Sequence, residues 1–430
     1  MKKNKINIIT LGCSKNLVDS ELLMRQFTAN GYTVAHDPPE TDGEIVVINT
    51  CGFIGDAKEE SVNTILEYAE AKKQRKINKL FVMGCLSERY LKELIKEIPE
   101  VDRFYGKFNW KLLISDLGKT WHNELSLDRV VTTPGHYAYL KIAEGCNRTC
   151  SYCSIPLITG KYKSRSLDEI TEEVKKLIRQ GVREFQVIAQ DLTYYGLDLY
   201  KKLYLPELIE NISDIPGVDW IRLHYAYPAK FPKDLLRVMR ERHNVCKYLD
   251  IALQHSSDKM LKLMRRNITK EETVDLLQEI RAEVPGIHLR TTMMAGHPGE
   301  TEEDFEDLLS FVKQMRFERL GAFTYSGEEG TYSNKHYKDT IEQEIKSARM
   351  DELMAVQEKI AFAVNEAKIG QTLKVIIDRE EDDFYIGRTE YDSPEVDPEV
   401  LISKEQTLQA GQFYQVQITD IQSFDLIGKV

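Results

Sequence analysis

Three cysteines lie within eight residues of each other, in the segment Cys146-Asn-Arg-Thr-Cys150-Ser-Tyr-Cys153. Thiols with this C-x₃-C-x₂-C spacing can bind one metal centre. A zinc site usually has four protein ligands, and a ferredoxin run reads C-x₂-C-x₂-C-x₃-C-P; neither pattern is present here. Three thiolates suit a 4Fe–4S cluster that leaves one iron open to another ligand. The alternative is three unrelated cysteines in a loop.

A second set of three cysteines follows predicted strands in the first hundred residues. Cys13, Cys51 and Cys85 each come directly after an apolar strand pattern. Each one alone is most simply a small buried hydrophobic residue. In an open parallel sheet, however, the carboxyl ends of the strands face one crevice, so these thiols could bind a second cluster with an open site. A glycine stands beside each cysteine, and we expect it to allow close approach to a bulky inorganic group; these are Gly12, Gly52 and Gly84.

The elements that must position the second set alternate between strand and helix patterns over residues 1–130. Apolar or β-branched runs predict strands at Ile6–Leu11, Glu44–Asn49 and Lys79–Met83. Helical patterns at Leu17–Asn30 and Glu59–Lys73 separate them. This alternation predicts an open parallel α/β sheet. Residues 119–137 are typical of a linker.

Six further β/α units follow the linker. The candidate strands are Ala138–Ile142, Phe185–Ile188, Trp220–His224, Leu249–Leu253, His288–Met294 and Gly321–Tyr325. Helical patterns separate them at Leu167–Gln180, Lys202–Ile212, Pro232–Arg242, Lys270–Ala282 and Glu302–Arg316. A right-handed parallel series of this length predicts a full or partial (β/α)₆ barrel, with its site at the carboxyl ends of the strands. The segment with Cys146 follows the first of these strands.

The last part of the chain has a different pattern. A long charged helix is predicted over residues 338–368. Strand patterns then follow at Leu373–Asp378, Phe384–Thr389, Val400–Ile402 and Tyr414–Ile421, with turns between them. The sequence therefore predicts an α/β protein that ends in a small all-β barrel.

Composition excludes several classes of protein. The 430 residues contain 42% hydrophobic and 30% charged residues and carry a net charge of −11, which is ordinary for a globular chain and argues mildly against a protein that lives on nucleic acid. No apolar run is long enough to span a membrane, and the short run after the basic N-terminus does not make a secretory signal, so we expect the cytoplasm. Seven cysteines favour metal or redox chemistry over a disulfide framework. We expect the seventh, Cys246, to precede a strand and to be buried and inert.

The spacing at Cys146, Cys150 and Cys153 resembles the radical S-adenosylmethionine (SAM) superfamily. That resemblance implies that the open iron of the 4Fe–4S cluster chelates the amino and carboxylate groups of SAM. Reductive cleavage of SAM then gives a 5′-deoxyadenosyl radical. The six β/α units are similar to the partial barrel of that superfamily.

Motifs along the whole chain resemble the methylthiotransferase family, in the branch that modifies ribosomal protein S-twelve. Ser14 stands where many relatives carry proline. The matching segments are Leu11-Gly-Cys-Ser-Lys-Asn-Leu-Val-Asp-Ser-Glu21, Glu144-Gly-Cys, Gln190-Asp-Leu-Thr-Tyr-Tyr-Gly196, Leu253-Gln-His255, Gly296-His-Pro-Gly-Glu-Thr301, Tyr325-Ser-Gly-Glu-Glu-Gly-Thr331 and Arg388-Thr-Glu-Tyr-Asp-Ser-Pro-Glu-Val-Asp397. By this resemblance, residues 1–120 are the N-terminal methylthiotransferase domain with an auxiliary cluster, 132–365 the radical SAM core and 366–430 a TRAM domain.

The resemblance implies insertion of a methylthio group at the β-carbon of one aspartate of ribosomal protein S-twelve. One SAM molecule methylates sulfur at the auxiliary cluster, and a second supplies the radical that removes the hydrogen. The implied cofactors are two 4Fe–4S clusters and SAM. A flavodoxin or ferredoxin is the implied electron donor.

Several residues at the predicted strand ends are candidates for binding SAM or substrate. Tyr152 could contact the adenine or be an aromatic plug over the cluster, and Gln190, Asp191, Gln254 and His255 lie at the barrel rim where functional residues gather.

Three further candidates lie in and after the fifth strand. Arg290 could hold the SAM carboxylate through a bidentate contact or pair with an acid of the barrel. Gly296 and Gly299 permit close approach of the backbone to a nucleoside. The segment Thr301 to Asp304 is equally explained as a helix N-cap.

Charge discriminates between a protein substrate and tRNA, which other methylthiotransferases modify. Residues 371–430 contain five basic and thirteen acidic residues, a net charge of −8. RNA binding depends on neutralising phosphates with lysine and arginine, whereas an acidic module attracts a basic ribosomal protein. The alternative is an acidic face that only serves solubility.

A non-catalytic iron–sulfur carrier is the remaining alternative. A carrier normally closes each cluster with four cysteines. Two sets of three leave open sites, which favours an enzyme.

Overall fold

The computed structural model describes residues 2–430. The chain divides into two compact units. The first contains the residues up to Thr132 together with Glu144–Arg148 and Cys153–Lys176, and the second contains Thr133–Ala143, Thr149–Tyr152 and Leu177–Val430. The expected domain boundaries at residues 120, 132 and 365 stay a prediction.

The N-terminal part is a five-stranded sheet with the order β2-β1-β3-β4-β5, all pairs parallel. Its elements are β1 (Lys2–Thr10), α1 (Ser14–Ala29), β2 (Thr33–His36), β3 (Gly43–Thr50), α2 (Gly55–Lys73), β4 (Lys79–Gly84), α3 (Cys85–Glu97), β5 (Arg103–Phe104) and α4 (Trp110–Asp116). The central strand β3 is buried along almost its whole length, as is typical of a parallel strand covered on both faces. The open parallel sheet is thus confirmed.

The two edge strands of this sheet, β2 and β5, were absent from the prediction. They are only four and two residues long, too short for an alternating pattern to stand out from the flanking loops. The predicted linker at 119–137 is mostly irregular, with one 3₁₀ turn at Asn123–Leu125.

The central part contains an open sheet of six parallel strands in the order β13-β12-β11-β10-β9-β6, which we call the open barrel. Its strands are β6 (Tyr137–Lys141), β9 (Glu184–Ile188), β10 (Trp220–Ala226), β11 (Val245–Ile251), β12 (His288–Ala295) and β13 (Arg319–Thr324). Two short strands, β7 (Ala143–Glu144) and β8 (Lys163–Ser164), lie outside it. The helices are α5 (Ile155–Thr159), α6 (Leu167–Arg179), α7 (Leu197–Tyr200), α8 (Leu205–Ser213), α9 (Asp234–Glu241), α10 (Asp258–Leu263), α11 (Lys270–Glu283), α12 (Glu302–Met315), α13 (Tyr332–His336) and α14 (Gln343–Glu366).

All six predicted barrel strands are present, with the largest boundary error at β11 and differences of one or two residues elsewhere. Strand β11 begins at Val245 rather than Leu249, so Cys246 lies inside the strand and not before it. The predicted start was too late because the charged Lys247 interrupts the apolar run. In the structure Lys247 belongs to the strand and is only partly buried. Cys246 itself is 1% exposed, as expected.

The C-terminal part is a closed five-stranded barrel, which we call the C-terminal barrel. Its strands are β14 (Thr372–Glu380), β15 (Phe384–Thr389), β16 (Val400–Ser403), β17 (Phe413–Gln422) and β18 (Asp425–Lys429). Strand β18, which had not been predicted, pairs with both β16 and β17 and closes the barrel. The alternating inward side chains form one apolar core that includes Val375, Val416 and Leu426.

The C-terminal barrel packs on the amino-terminal ends of the open barrel's strands. Glu184, the first residue of β9, accepts hydrogen bonds from Arg388 of β15 at 3.1 and 2.8 Å and pairs with Arg222 of β10 at 3.2 Å. The Glu395 carboxylate accepts from the hydroxyls of Tyr137 and Tyr139 in β6, both at 3.2 Å. The C-terminal barrel therefore does not cover the carboxyl ends of the strands, where most of the candidate site residues lie.

Candidate active site

The loop that carries Cys146, Cys150 and Cys153 lies between β7 and α5, and all three thiols are partly exposed. The Cys146 N–H donates to the Gly160 carbonyl at 3.2 Å, and the Arg148 N–H donates to Cys146 Sγ at 3.4 Å. Gly145 has φ +81° and no room for a side chain against Lys161. The turn before Cys146 therefore requires glycine.

Arg266, a residue that the sequence analysis missed, binds Cys150. Its guanidinium donates to Cys150 Sγ at 3.2 Å and to the Tyr152 hydroxyl at 3.4 Å, and it lies 4.1 Å from the centre of the Tyr227 ring. Arg266 is 3% exposed. Burial by itself lowers the pKa of Arg266, but Tyr152, Cys150 and Tyr227 raise it above its usual value, so the guanidinium is a permanent charge beside the thiol. The sequence Arg265-Arg266 does not indicate which of the two arginines is buried.

His297 was quoted in a motif but given no role, and it joins the cysteine loop to the ends of β12 and β13. Its buried ring packs edge-on against Tyr152 at 6.3 Å and Tyr325 at 5.1 Å, and its Nε2 lies 3.3 Å from the Ser151 hydroxyl. Burial lowers the pKa of His297 to about 4, so the imidazole is neutral at pH 7. Tyr152 is held between this ring and Arg266.

Gln254 follows β11 in a strained backbone conformation, with φ +75°. It forms a bridge to β12 through its N–H to the Thr292 carbonyl and its own carbonyl to the Met294 N–H, both at 2.8 Å. A left-handed conformation of a non-glycine residue costs energy and is concentrated at functional sites. The strain fits the role predicted for Gln254, which stays a prediction.

Gln190 and Asp191 follow β9, as expected. Gln190 is half-buried. The Asp191 carboxylate accepts from the Thr193 N–H at 2.9 Å and from its hydroxyl at 2.6 Å, and so caps the next turn. Asp191 thus has a structural task at the rim.

Gly296 and His255 both lie beside the acid Glu300. The Gly296 N–H donates to Glu300 Oε2 at 2.9 Å, and the Lys346 side chain fills the space that a Cβ at Gly296 would need. His255 Nδ1 accepts from the N–H groups of Ser256 and Ser257, which places its proton on Nε2, 3.6 Å from the same Glu300 oxygen. The following segment is a full capping box between Thr301 and Asp304, which is the structural explanation left open for it.

Arg290 is the third residue of β12, near the amino-terminal end of the strand, and makes two ion pairs. Its partners are Asp250 and Asp397, each at 3.5 Å. Burial alone lowers the pKa of Arg290, but the adjacent Tyr248, Asp250 and Asp397 raise it above its usual value. This is the pairing with barrel acids that was the alternative to binding the SAM carboxylate.

Cys13, Cys51 and Cys85 lie together at the carboxyl ends of β1, β3 and β4. Cys13 is exposed and precedes α1, whereas Cys51 and Cys85 are buried. Burial raises the pKa of Cys51 and raises that of Cys85 to about 12, and the charges of the neighbouring thiols add to both effects. Three sulfur donors at one crevice fit the thiolate ligation of an iron–sulfur cluster.

The glycines beside these cysteines pack against protein rather than lining open space. A Cβ at Gly12 would lie 2.8 Å from Cys51 Sγ, and one at Gly52 would lie 2.7 Å from the backbone of Leu86. At Gly84 it would lie 2.5 Å from the Thr50 carbonyl. Their absent side chains let the three strand-end loops approach one another.

A buried polar network supports this crevice. Asn16 donates to the carbonyls of Leu11 and Thr50, and its Oδ1 accepts from Cys85 Sγ at 3.6 Å and Lys107 Nζ at 3.4 Å. Lys107 also pairs with Asp19 at 2.9 Å. Burial lowers the pKa of Lys107, but the charges of Asp19, Glu144 and Cys85 raise it well above its usual value, so Lys107 is a fixed positive charge near Cys85.

A hydrogen bond joins the two cysteine loops within the first compact unit. Ser154, directly after Cys153, is fully buried, and its hydroxyl donates to the Phe53 carbonyl, two residues after Cys51, at 3.1 Å. Over residues 2–430, no three His, Cys, Asp or Glu side chains are close enough to hold a single metal ion. Both cysteine sets supply only sulfur donors, which is the donor chemistry that iron–sulfur clusters use.

Three family models match the chain. They are the radical SAM superfamily over residues 140–312, the uncharacterized protein family UPF0004 over residues 5–106 and the TRAM domain over residues 369–430. The radical SAM model implies a 4Fe–4S cluster and SAM as cofactors. The fold class predicted from the sequence is confirmed by these matches.

Relatives match along the whole chain. The ribosomal protein uS12 methylthiotransferase RimO of Parabacteroides distasonis is 71% identical over 430 residues, with 100% of both chains covered. The protein of the same name from Bacteroides thetaiotaomicron is 68% identical, with 100% of this chain and 99% of the relative covered. The chain belongs to the ribosomal protein uS12 methylthiotransferase family.

A solved structure shares the fold of this methylthiotransferase at low identity. The radical SAM methyltransferase TsrM of Kitasatospora setae, solved with cobalamin and a [4Fe-4S] cluster, superimposes with a TM-score of 0.55 at 14% identity and covers 75% of each chain. No helix among residues 2–430 is both long and apolar enough to cross a membrane.

Proposed function

We propose that this radical SAM methylthiotransferase inserts a methylthio group at the β-carbon of an aspartate of ribosomal protein uS12. The observation that carries the proposal is the pair of three-thiol sites whose loops meet at the Ser154–Phe53 hydrogen bond. One site must generate a radical and the other must present sulfur to the same carbon. The reaction therefore needs the two sites side by side.

Cys146, Cys150 and Cys153 are the proposed ligands of the 4Fe–4S cluster that binds SAM. When bound, that cluster supplies the electron that cleaves SAM to a 5′-deoxyadenosyl radical. The permanent charge of the buried Arg266 lies 3.2 Å from Cys150 Sγ, where it would stabilise negative charge on a cluster held by that sulfur. His297 and Arg266 fix the orientation of Tyr152.

The proposed SAM contacts are Tyr152, Gln190, Gln254, Arg290 and Gly296. Gln254 is supported by its strained backbone at the barrel rim. Gln190 and Gly296 are supported by their places after β9 and β12. Arg290 is the least supported, because both of its acidic partners already engage it.

Cys13, Cys51 and Cys85 are the proposed ligands of a second 4Fe–4S cluster, the auxiliary one. Lys107 and Asn16 hold the walls of this crevice around the thiols. The positive charge of Lys107 favours the thiolate form of a nearby cysteine, which is the form that binds iron.

The substrate is proposed to bind partly through the acidic C-terminal barrel, with its net charge of −8 over residues 371–430. Basic ribosomal protein uS12 complements that charge, whereas tRNA is repelled by it. The full-length relatives carry the uS12 name, so a tRNA-adenosine methylthiotransferase is not favoured. A flavodoxin or ferredoxin is the proposed electron donor. The cytoplasm is the proposed location, because seven cysteines with no disulfide among residues 2–430 favour a reducing compartment. We also propose the division into residues 1–120, 132–365 and 366–430.

Single cysteine variants in the anaerobically reconstituted protein test the proposal. Cys150→Ala should abolish both 5′-deoxyadenosine and methylthio-uS12, because no radical forms. Cys51→Ala should still form 5′-deoxyadenosine but no methylthio-uS12. Cys246→Ala is the matched control, since Cys246 is buried outside both sets, and it should keep both products.

Mass spectrometry of uS12 and of tRNA from the same reaction separates the alternatives. Modified tRNA with unchanged uS12 would contradict the substrate assignment. Unimpaired methylthiolation by Cys51→Ala would contradict the auxiliary site. A protein that forms no 5′-deoxyadenosine would be a carrier.

A further inference from the structure

A groove of about 730 Å³ lies between helix α14 and two loops of the C-terminal barrel. Its walls are the exposed side of α14 around Asp351 and Glu358, the loop around Val396 and the turn at Phe424. The start of strand β13 forms its end. All of these residues belong to one compact unit, and two of them, Asp397 and Glu395, bind residues of the open barrel. We call it the acidic groove.

Negative charge dominates the groove. Six carboxylates line it against one guanidinium, that of Arg319, which already pairs with Asp392. Four of the six have partners in the fold, but Asp351 and Glu358 are exposed and make no ion pair among the described residues. They lie two turns apart on the same face of α14. The six carboxylates are Glu318, Asp351, Glu358, Glu395, Asp397 and Asp425.

Gln357 adds a polar group to the groove besides its carboxylates. It lines the groove and is only 3% exposed. Its Nε2 donates to the Phe317 carbonyl at 2.9 Å, which fixes the orientation of the amide, and its Oε1 has no hydrogen-bond partner in the described part of the chain. A buried acceptor without a donor is costly, so a hydrogen-bond donor that enters the groove would be stabilised at this oxygen.

Apolar side chains sit between these charges. Val396 and Phe424 are 59% and 44% exposed, and Met354 on α14 is 37% exposed. Lysine and arginine present an aliphatic stem below a charged, hydrogen-bond-donating head. An apolar surface flanked by carboxylates and an unpaired amide oxygen matches both parts of such a side chain.

We propose that the acidic groove binds a lysine- or arginine-bearing segment of the protein substrate, away from the aspartate that is modified. The inference rests on the proposed function and adds a second binding site to it. Strand β13 separates the groove, at Arg319, from the rim, at Tyr325, by about 20 Å of extended chain. An extended segment needs about six residues to span that distance, so a substrate with fewer residues than that on either side of the modified aspartate cannot reach both places.

The double variant Asp351→Lys/Glu358→Lys tests the proposal through binding and through turnover. We expect the dissociation constant and the KM for full-length uS12 to rise by about tenfold at low ionic strength, because two favourable charge pairs become repulsive. Added salt should narrow the difference. The KM for a five-residue peptide centred on the modified aspartate, which is too short to reach the groove, and the amount of 5′-deoxyadenosine formed without substrate should not change.

The matched control is Glu352→Lys/Glu366→Lys, which makes the same charge change on exposed positions of α14 outside the groove. Equal weakening by both double variants would overturn the groove in favour of a general charge effect, and so would unchanged binding of uS12. Tighter binding of RNA by the groove variant, with uS12 binding unaffected, would also overturn it. Binding is measured without turnover, so a protein that binds uS12 through the groove but fails to modify it would contradict the proposed function alone.

Discussion

At the scale of single residues, the cysteines depend on neighbours far away in the chain. Arg266 reaches Cys150 across 116 positions, and Asn16 reaches Cys85 across 69. Each neighbour is buried and offers its cysteine a polar group that water cannot replace. The cysteines supply the ligands, and these neighbours set their charge environment.

Replacement of Arg266 by glutamine should make the radical-generating cluster harder to reduce. The positive charge beside Cys150 stabilises the more negative, reduced state, and its loss is felt strongly in a buried site. We expect a lower reduction potential, measured by redox titration with EPR detection, and a slower formation of 5′-deoxyadenosine.

Arg265→Gln is the control for that change. Arg265 is exposed and lies against Tyr332 rather than a cysteine, so its loss should leave the potential where it was. An equal shift in both variants would show that overall charge, and not the contact with Cys150, sets the potential.

At the scale of elements, parallel strands bring the site together. Strands β1, β3 and β4 deliver three thiols to one crevice, and β9, β11 and β12 deliver Gln190, Gln254 and Gly296 to one rim. Helix α5 begins directly after the Cys146–Cys153 loop, and Ser154 ties that start to the loop after β3. A register error of one residue in any strand would turn its terminal side chain away from the site.

Ser154→Ala should uncouple radical formation from methylthiolation. The variant loses the hydrogen bond to the Phe53 carbonyl but keeps every proposed cluster ligand. We expect 5′-deoxyadenosine to form at close to the normal rate, while the yield of methylthio-uS12 per 5′-deoxyadenosine falls several-fold because the two loops are less well aligned.

Ser154→Thr keeps the hydroxyl and should restore most of the coupling. A normal product ratio in Ser154→Ala would show that packing alone aligns the loops. Loss of iron from the variant, measured by iron analysis, would instead point to a purely structural defect.

At the scale of the whole molecule, the C-terminal barrel packs on the amino-terminal ends of the open barrel's strands through buried ion pairs. Arg388, 1% exposed, bridges Glu184 and Asp378, and Asp378 also accepts a hydrogen bond from His136 at 2.7 Å. Removing one partner from a buried ion network leaves an uncompensated charge. The stability of the open barrel therefore depends on residues from the other end of the chain.

Arg388→Met should lower the free energy of unfolding by about 3 kcal/mol, as expected for a broken buried ion network. Arg379→Met is the matched control on the neighbouring strand: Arg379 pairs with Glu381 and Glu399 on the surface, and its loss should cost less than about 1 kcal/mol. Denaturant titration measures both. Equal losses would contradict a special role for the buried network.

Acid should weaken the same network. Burial would raise the pKa of Asp378, but Arg388 and His136 lower it from 3.8 to about 2. A carboxyl whose pKa is lower in the folded than in the unfolded state stabilises the fold above its unfolded pKa, and that contribution disappears as the pH falls through the folded value. Denaturant midpoints should therefore fall more steeply between about pH 4 and pH 2 for the wild type than for Asp378→Asn; parallel curves would contradict the assignment.

The sequence by itself indicated the chemistry through its cysteines, and it located most of the strands and helices. Cysteine spacing is local, so it indicated both candidate cluster sites, and the apolar periods located every long strand of the two parallel sheets. Short edge strands and the closing strand β18 escaped because their patterns are brief or mixed with polar residues. The charge of the last sixty residues is a matter of counting and needed no structure.

Only the tertiary structure decided which distant residues touch. Sequence patterns report the period of one element and not its partner, so the contacts of Arg266, Ser154 and Gln357 could not be read from it. For the same reason, the sequence did not show that Arg290 pairs with two acids. These acids lie 40 and 107 positions away in sequence and meet Arg290 only in the folded barrel. The spacing of the cysteines indicated the reaction, whereas the fold determines which charged residues surround them.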